Sequence, residues 1–184
     1  IGRGQGADEK RRQAIVLQST PAAVFNCPSR RDAQPFPNGK SHVLMNADQS
    51  ELHARADYAA NGGDLYVLQG LPPESYDQVD SGAYTWRDMT QATGISFMRS
   101  MIRPAHVTDG LSHTYLAGEK YLDPDHYFSG RDFGDDYSMY QGNDFDVTRY
   151  TSKTASVPYF GIHDLPNLPR RDQRGDIIGV ITIV

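Results

Sequence analysis

Apolar residues in this chain arrive in short bursts separated by glycine, proline and asparagine, and no helical or alternating period is sustained for long. Residues 7 to 18, ADEKRRQAIVLQ, predict a short helix: Asp8 and Glu9 open it where the helix dipole favours acids, and Ser19-Thr20-Pro21 ends it. Only its last turn is amphipathic. Ala22 to Arg31 is a brief apolar run stopped by Pro28, which predicts an edge strand, and PFPNG at 35 to 39 predicts a turn. RADYAANGGD, residues 55 to 64, runs from an aromatic segment into a tight Asn-Gly-Gly turn. Residues 70 to 105 predict an irregular excursion with at most one strand, around ISFMRSMI. Asp109-Gly110 predicts a turn feeding a strand from Thr114 to Leu122, in which Glu119 and Lys120 face opposite ways. Residues 123 to 150 predict loops with brief strands, and DIIGVITIV from Asp176 a β-branched core strand.

Composition narrows this to one turn-rich domain. The chain has 184 residues, 38% hydrophobic and 22% charged, with a net charge of -5. That length supports one core, and the acidic balance supplies no basic surface for a phosphate backbone, which excludes nucleic acid as an expected partner. The 17 glycines, 11 prolines and 11 tyrosines argue against a helical bundle. Cys27 has no second cysteine to pair with and is expected to be a small buried hydrophobe beside Phe25. The opening IGRGQGADEKRR has neither the apolar core of a signal peptide nor the length of a membrane span.

The candidate chemistry is sparse. Gly110-Leu111-Ser112-His113-Thr114 stops one residue short of the Gly-x-Ser-x-Gly elbow, with Thr114 where the strained turn needs glycine, and the approach to it is broken by Pro104. The six histidines lack zinc-ligand spacing. In the loops from 121 to 150, Asp132, Asp135, Asp136, Asp144 and Asp146 stand among glycines and backbone carbonyls, the oxygen-rich setting that calcium takes, although the spacing matches no EF-hand loop. The tyrosines and phenylalanines of the same loops could stack on a carbohydrate. An extracytoplasmic calcium- or carbohydrate-binding domain is therefore one reading of function. No other cofactor is expected.

Three segments stand in a telling order. They are Cys27-Pro28-Ser29, then Tyr58-Ala59-Ala60-Asn61-Gly62, then Asp109-Gly110 with Ser112, Thr114, Gly118 and Glu119. In that order, over roughly residues 20 to 150, they resemble the bacterial pilin-like family known as domain of unknown function 1559, with His113 where the family usually has Asn. Towards the end the chain departs from the family pattern: Phe160-Gly161-Ile162-His163 is one residue short, and Gln173 stands where an Asp is usual.

The resemblance implies an α+β pilin-like fold, an antiparallel sheet covered by a long N-terminal helix, with long irregular loops. It also implies a prepilin-type cleavage and methylation segment and an inner-membrane anchor ahead of the domain. On that reading residues 1 to 20 are a remnant of the helical region with its linker, and residues 21 to 184 form a single globular domain. The expected protein is non-enzymatic and extracytoplasmic, seated in the cell envelope, and works in assembly or surface presentation with other pilin-like subunits or envelope proteins. It would touch the membrane only through a helix that this chain lacks. A sheet without its covering helix is expected to expose apolar surface and to be marginally stable.

Overall fold

The computed structural model describes residues 6–41, 44, 47–64, 73–151 and 168–175. Helix α1 spans Ala7–Gln18, as its acidic first turn and the Ser-Thr-Pro stop predict. Its only buried residue is Gln18, so it does not dock by an apolar stripe. Polar contacts hold it instead. Arg11 Nε lies 3.1 Å from Asp48 Oδ1, Gln18 Nε2 donates to the Asp48 carbonyl at 2.9 Å, and Ser138 Oγ donates to the Gln18 carbonyl at 3.1 Å.

Five short strands follow: β1 Pro35–Pro37, β2 Leu52–Ala54, β3 Tyr58–Asn61, β4 Ala117–Glu119 and β5 Thr148–Arg149. β1 and β2 form an antiparallel ribbon with Phe36 opposite His53. The other sheet has the order β4-β3-β5, with β4 antiparallel to β3 and β5 parallel to it. The fold is thus α+β with little helix, but this sheet is mixed where an antiparallel one was expected.

The strand expected between Ala22 and Arg31 is instead a 3₁₀ turn over Ala23–Phe25, and the strand falls on PFP, which was expected to turn. Both differences have one cause, the destination of backbone hydrogen bonds. Phe25 and Asn26 donate back to Ala22 and Ala23, and Cys27 N donates to Asp57 Oδ2, so the segment is satisfied without a neighbouring strand. PFP forms a strand at the edge of a two-stranded ribbon, where proline's missing N–H is tolerated.

ISFMRSMI forms no strand. Both edges of β3 are already taken, and Ile95 N and Ser96 N donate together to the Asn61 carbonyl at 3.0 Å. The same excursion contains a one-turn helix, α2 Tyr76–Asp80, capped by Ser75, whose Oγ accepts from Gln78 N. The strand expected from Thr114 to Leu122 is confined to β4, preceded by a 3₁₀ turn at Leu111–His113. The turn at Asp109-Gly110 is as predicted: Gly110 has φ 91, a conformation that favours glycine. The expected strand from Asp176, and the Phe160 to His163 segment, lie outside the described residues.

Among the described residues the buried apolar side chains are few: Phe36, Ala54, Ala56, Ala59, Tyr121, Leu122, Phe145 and Tyr150, together with Cys27. Fully burying a large apolar side chain is worth about 1.5–3 kcal/mol, and few of these are large. Much of the remaining interior is charged. Arg55, Arg149, Lys120, Asp57 and Asp135 are among the largest fully buried side chains.

Candidate functional site

The charged interior begins at Asp57, one residue before β3. Its Oδ2 accepts from Cys27 N at 2.8 Å, Arg31 Nε lies 2.8 Å from its Oδ1, and Arg30 Nη1 lies 3.7 Å from the same oxygen. Its backbone carbonyl accepts from Lys120 N at 2.7 Å. One aspartate therefore ties the Cys-Pro-Ser segment, the head of β3 and the end of β4 together. These segments are far apart in sequence but meet at one residue.

From there the charges alternate through the interior. Arg31 reaches Asp135 with two donors, Nη1 to Oδ2 at 2.5 Å and Nη2 to Oδ1 at 3.2 Å, a forked pairing that suits a planar guanidinium. Lys120 Nζ donates to Asp135 Oδ1 at 2.5 Å and to the carbonyls of Gly134 and Asp146 at 3.3 and 3.1 Å. Arg149 Nη2 donates to the Gly134 carbonyl at 2.7 Å, and Arg55 Nη2 to that of Pro37. Asp132 accepts from Asp123 N and Gly134 N at 2.7 and 2.9 Å. Among the described residues Arg31, Arg55, Lys120 and Arg149 are thus buried together with Asp57, Asp132, Asp135, Asp136 and Asp146, and the side chain of Arg30 lies beside them.

Burial shapes the proton equilibria. It pushes the Asp135 carboxyl up, but Arg31 and Lys120 outweigh it and hold that group well below the usual carboxylate range. Asp146 goes the other way: burial raises it well above that range, with Lys120 opposing and Asp136 and Asp144 adding to the rise. Its Oδ1 accepts from Tyr137 N at 2.8 Å, while its buried Oδ2 lacks a hydrogen-bond partner. Burial likewise pulls down Lys120 and Arg149. Nε and Nη1 of both Arg55 and Arg149 are buried without hydrogen-bond acceptors.

Of the five aspartates read as calcium ligands, the structure brings Asp132, Asp135, Asp136 and Asp146 inside and commits them to other groups. Asp136 pairs with Lys40 Nζ at 2.5 Å. Asp144, half-buried, accepts from Phe145 N at 2.7 Å. Among the described residues no group of three or more His, Cys, Asp or Glu is placed to hold a metal ion.

The three ordered segments are structural at every contact they make. Cys27 is buried as expected, and its sulfur sits 3.1 Å from Ser29 Oγ. Pro28 and Ser29 are exposed on the turn. Asn61 bridges elements, its Nδ2 donating to the Tyr115 carbonyl at 2.9 Å and its Oδ1 accepting from Gly63 N at 2.8 Å. Gly62 is needed for close approach, because a Cβ there would overlap the Tyr150 ring. Thr114 Oγ1 donates to the Gly110 carbonyl at 3.2 Å. Asp109, Ser112 and His113 are exposed. Gly118 pairs with Ala59 across the sheet, and Glu119 lies 3.8 Å from Arg30 while Lys120 turns inward, so these neighbours do face apart. Desolvation raises the Tyr58 phenol, and Cys27 and Glu119 add to the rise.

Sequence reasoning missed the cations. Lys120 was weighed only against Glu119, and Arg30, Arg31, Arg55 and Arg149 were given no role, although Arg55 and Asp57 interrupt the alanines of ARADYAA, a pattern that points to charges turned inward.

Among the described residues no helix is long and apolar enough to cross a membrane. Comparison with curated proteins and with solved structures gives no match. A family model does match, over residues 3–174, so the chain belongs to the family described as protein of unknown function (DUF1559).

Proposed function

We propose that this protein is a non-enzymatic, pseudopilin-like component of the cell envelope, working outside the cytoplasm through contacts with other subunits or envelope proteins. One observation supports this most. Most ionisable side chains packed around Asp57 and Asp135 point inward, whereas the apolar side chains on the turns at either end of β3 point out. Val24 and Phe25 are 79% and 47% exposed, and Tyr115 and Leu116 are each 75% exposed. Phe25 and Leu116 anchor these turns to β3 through their backbone carbonyls, leaving their side chains for a partner. A surface of this kind suits protein association better than turnover of a small substrate.

The decisive experiment is to read the coding sequence upstream of Ile1. A Gly-Phe-Thr-Leu-Ile-Glu-like segment followed by about twenty apolar residues is the expected result. A start codon immediately before Ile1 would refute the anchored, prepilin-type reading.

A further inference from the structure

Residues 168–175 cross the surface as a strap. Most of its side chains are exposed, but Asp172 is inserted, with 14% of its side chain accessible. Its Oδ1 accepts from Leu122 N at 2.8 Å. Its Oδ2 accepts from the Tyr127 hydroxyl and lies 3.1 Å from Arg30 Nη2. Both carboxylate oxygens are therefore satisfied by a backbone amide, a phenol and a guanidinium, and none of the three is a sequence neighbour of the strap.

We infer that Arg30, Tyr127 and the Leu122 amide form a carboxylate-binding pocket that Asp172 occupies in cis, and that an aspartate-bearing peptide segment fills it when the strap withdraws. The donors are built into the fold independently of their occupant. Arg30, whose side chain is 6% exposed, is steered by Asp57 on one side and by Glu119 at 3.8 Å on the other, with its guanidinium 5.8 Å from the Tyr127 ring centroid. Leu122 is buried and lies two residues beyond Lys120, which is itself anchored in the charged interior.

The strap, by contrast, is held by its polar contacts. Besides Asp172, the Gln173 carbonyl accepts from the Tyr121 hydroxyl and Gly175 N donates to Asp123 Oδ2, each at 2.9 Å. Arg174 Nε lies 3.3 Å from Asp125, an exposed pair of little worth. Arg30 is shared among Asp57, Glu119 and Asp172, so the third carboxylate enters against two like charges and depends on the neutral donors. Such a contact is strong enough to place the strap and weak enough to exchange. The number of donors also selects the ligand: they match two oxygens, and a phosphate would bring further charge towards Glu119 with nothing to receive it.

The test uses the whole chain with Asp172→Ala, labelled with ¹⁵N, titrated with the capped peptide LPRRDQRG and with the same peptide carrying Ala in place of Asp. The Leu122 amide resonance is the reporter. The expected result is saturable binding of the Asp peptide at least tenfold tighter than of the Ala peptide, and at least tenfold tighter than to the wild-type chain, where Asp172 competes. Non-specific attraction cannot mimic this, because the peptide has three arginines and the chain a net charge of -5, so removing Asp would strengthen such attraction. Adding Tyr127→Phe should weaken the Asp peptide severalfold. Equal affinity for the two peptides, or equal affinity of the two chains, overturns the inference. Asp172→Asn serves if the alanine variant loses amide dispersion, since its Oδ1 still accepts from Leu122. Unfolding of both variants also overturns exchange, because it would make the carboxylate part of the folded core.

Discussion

Asp135→Asn is the sharpest perturbation of the charged interior. The asparagine keeps the shape and an acceptor but removes the charge shared by Arg31 and Lys120, whose side chains are 0% and 1% exposed. Arg31 retains Asp57 at 2.8 Å, whereas Lys120 Nζ keeps only the Gly134 and Asp146 carbonyls among its hydrogen-bond partners. Removing one partner from a buried ion pair costs about 3–5 kcal/mol. Against a typical global stability of about 5–15 kcal/mol, that is a large fraction. At about 2–4 °C per kcal/mol for a chain of this size, Tm should fall by roughly 6–20 °C. Urea unfolding followed by far-ultraviolet circular dichroism measures the loss, and an unchanged m-value assigns it to the native state. Lys120→Met in the same background should recover part of it, with a coupling energy of about 0.5–3 kcal/mol in the double-mutant cycle. The acid limb provides a second readout. Because the folded Asp135 carboxyl titrates below its unfolded value near 4, its contribution is complete above that pH and is lost as pH falls further. The asparagine variant should therefore lose less stability than wild type on acidification below about pH 4. A loss under about 1 kcal/mol with additive double mutants would refute the reading that these charges hold the interior together.

Asp146 carries the opposite sign: its raised pKa means the folded state keeps the proton, so stability is lost as pH rises above about 4. Asp146→Asn should flatten that limb, as thermal melts across pH will show. Tyr127, pushed up to about 12 by burial and by its bond to Asp172, should be among the last tyrosines to ionise in an alkaline absorbance titration, and Asp172→Ala should return it towards 10. Gly62→Ala should destabilise by about 1–3 kcal/mol through overlap with the Tyr150 ring, measured by chemical denaturation. Millimolar calcium should shift Tm by less than about 1 °C, because a calcium shell would have to displace Arg31, Lys120 and Lys40 from their aspartates; a larger, saturable shift would support the calcium reading.

The parts of the fold legible in sequence are those set by local chemistry. Helix α1 follows from acids at its start and Ser-Thr-Pro at its end, and Gly110 turns because it must adopt positive φ. The edge of the sheet was misplaced because Ala22 to Arg31 satisfies its backbone through Asp57, a partner about thirty residues away that no local pattern reveals. The aspartates drew attention by density, but their role depends on cations from remote segments, as with Arg31 and Asp135, which are 104 residues apart. The ordered motifs were legible as a signature. Their common meeting point at Asp57 was not, because nothing local shows that this side chain turns inward to Cys27 and Arg31.

A charged interior also changes the route by which the chain reaches its fold. Arg31 and Asp135 cannot shed water until their remote segments have arrived, so little favours their approach beforehand and closure must come late and together. In a partly folded chain these groups remain hydrated and keep molecules apart, where a conventional hydrophobic interior would leave sticky surface. Slow, concerted closure and clean intermediates are two sides of the same arrangement.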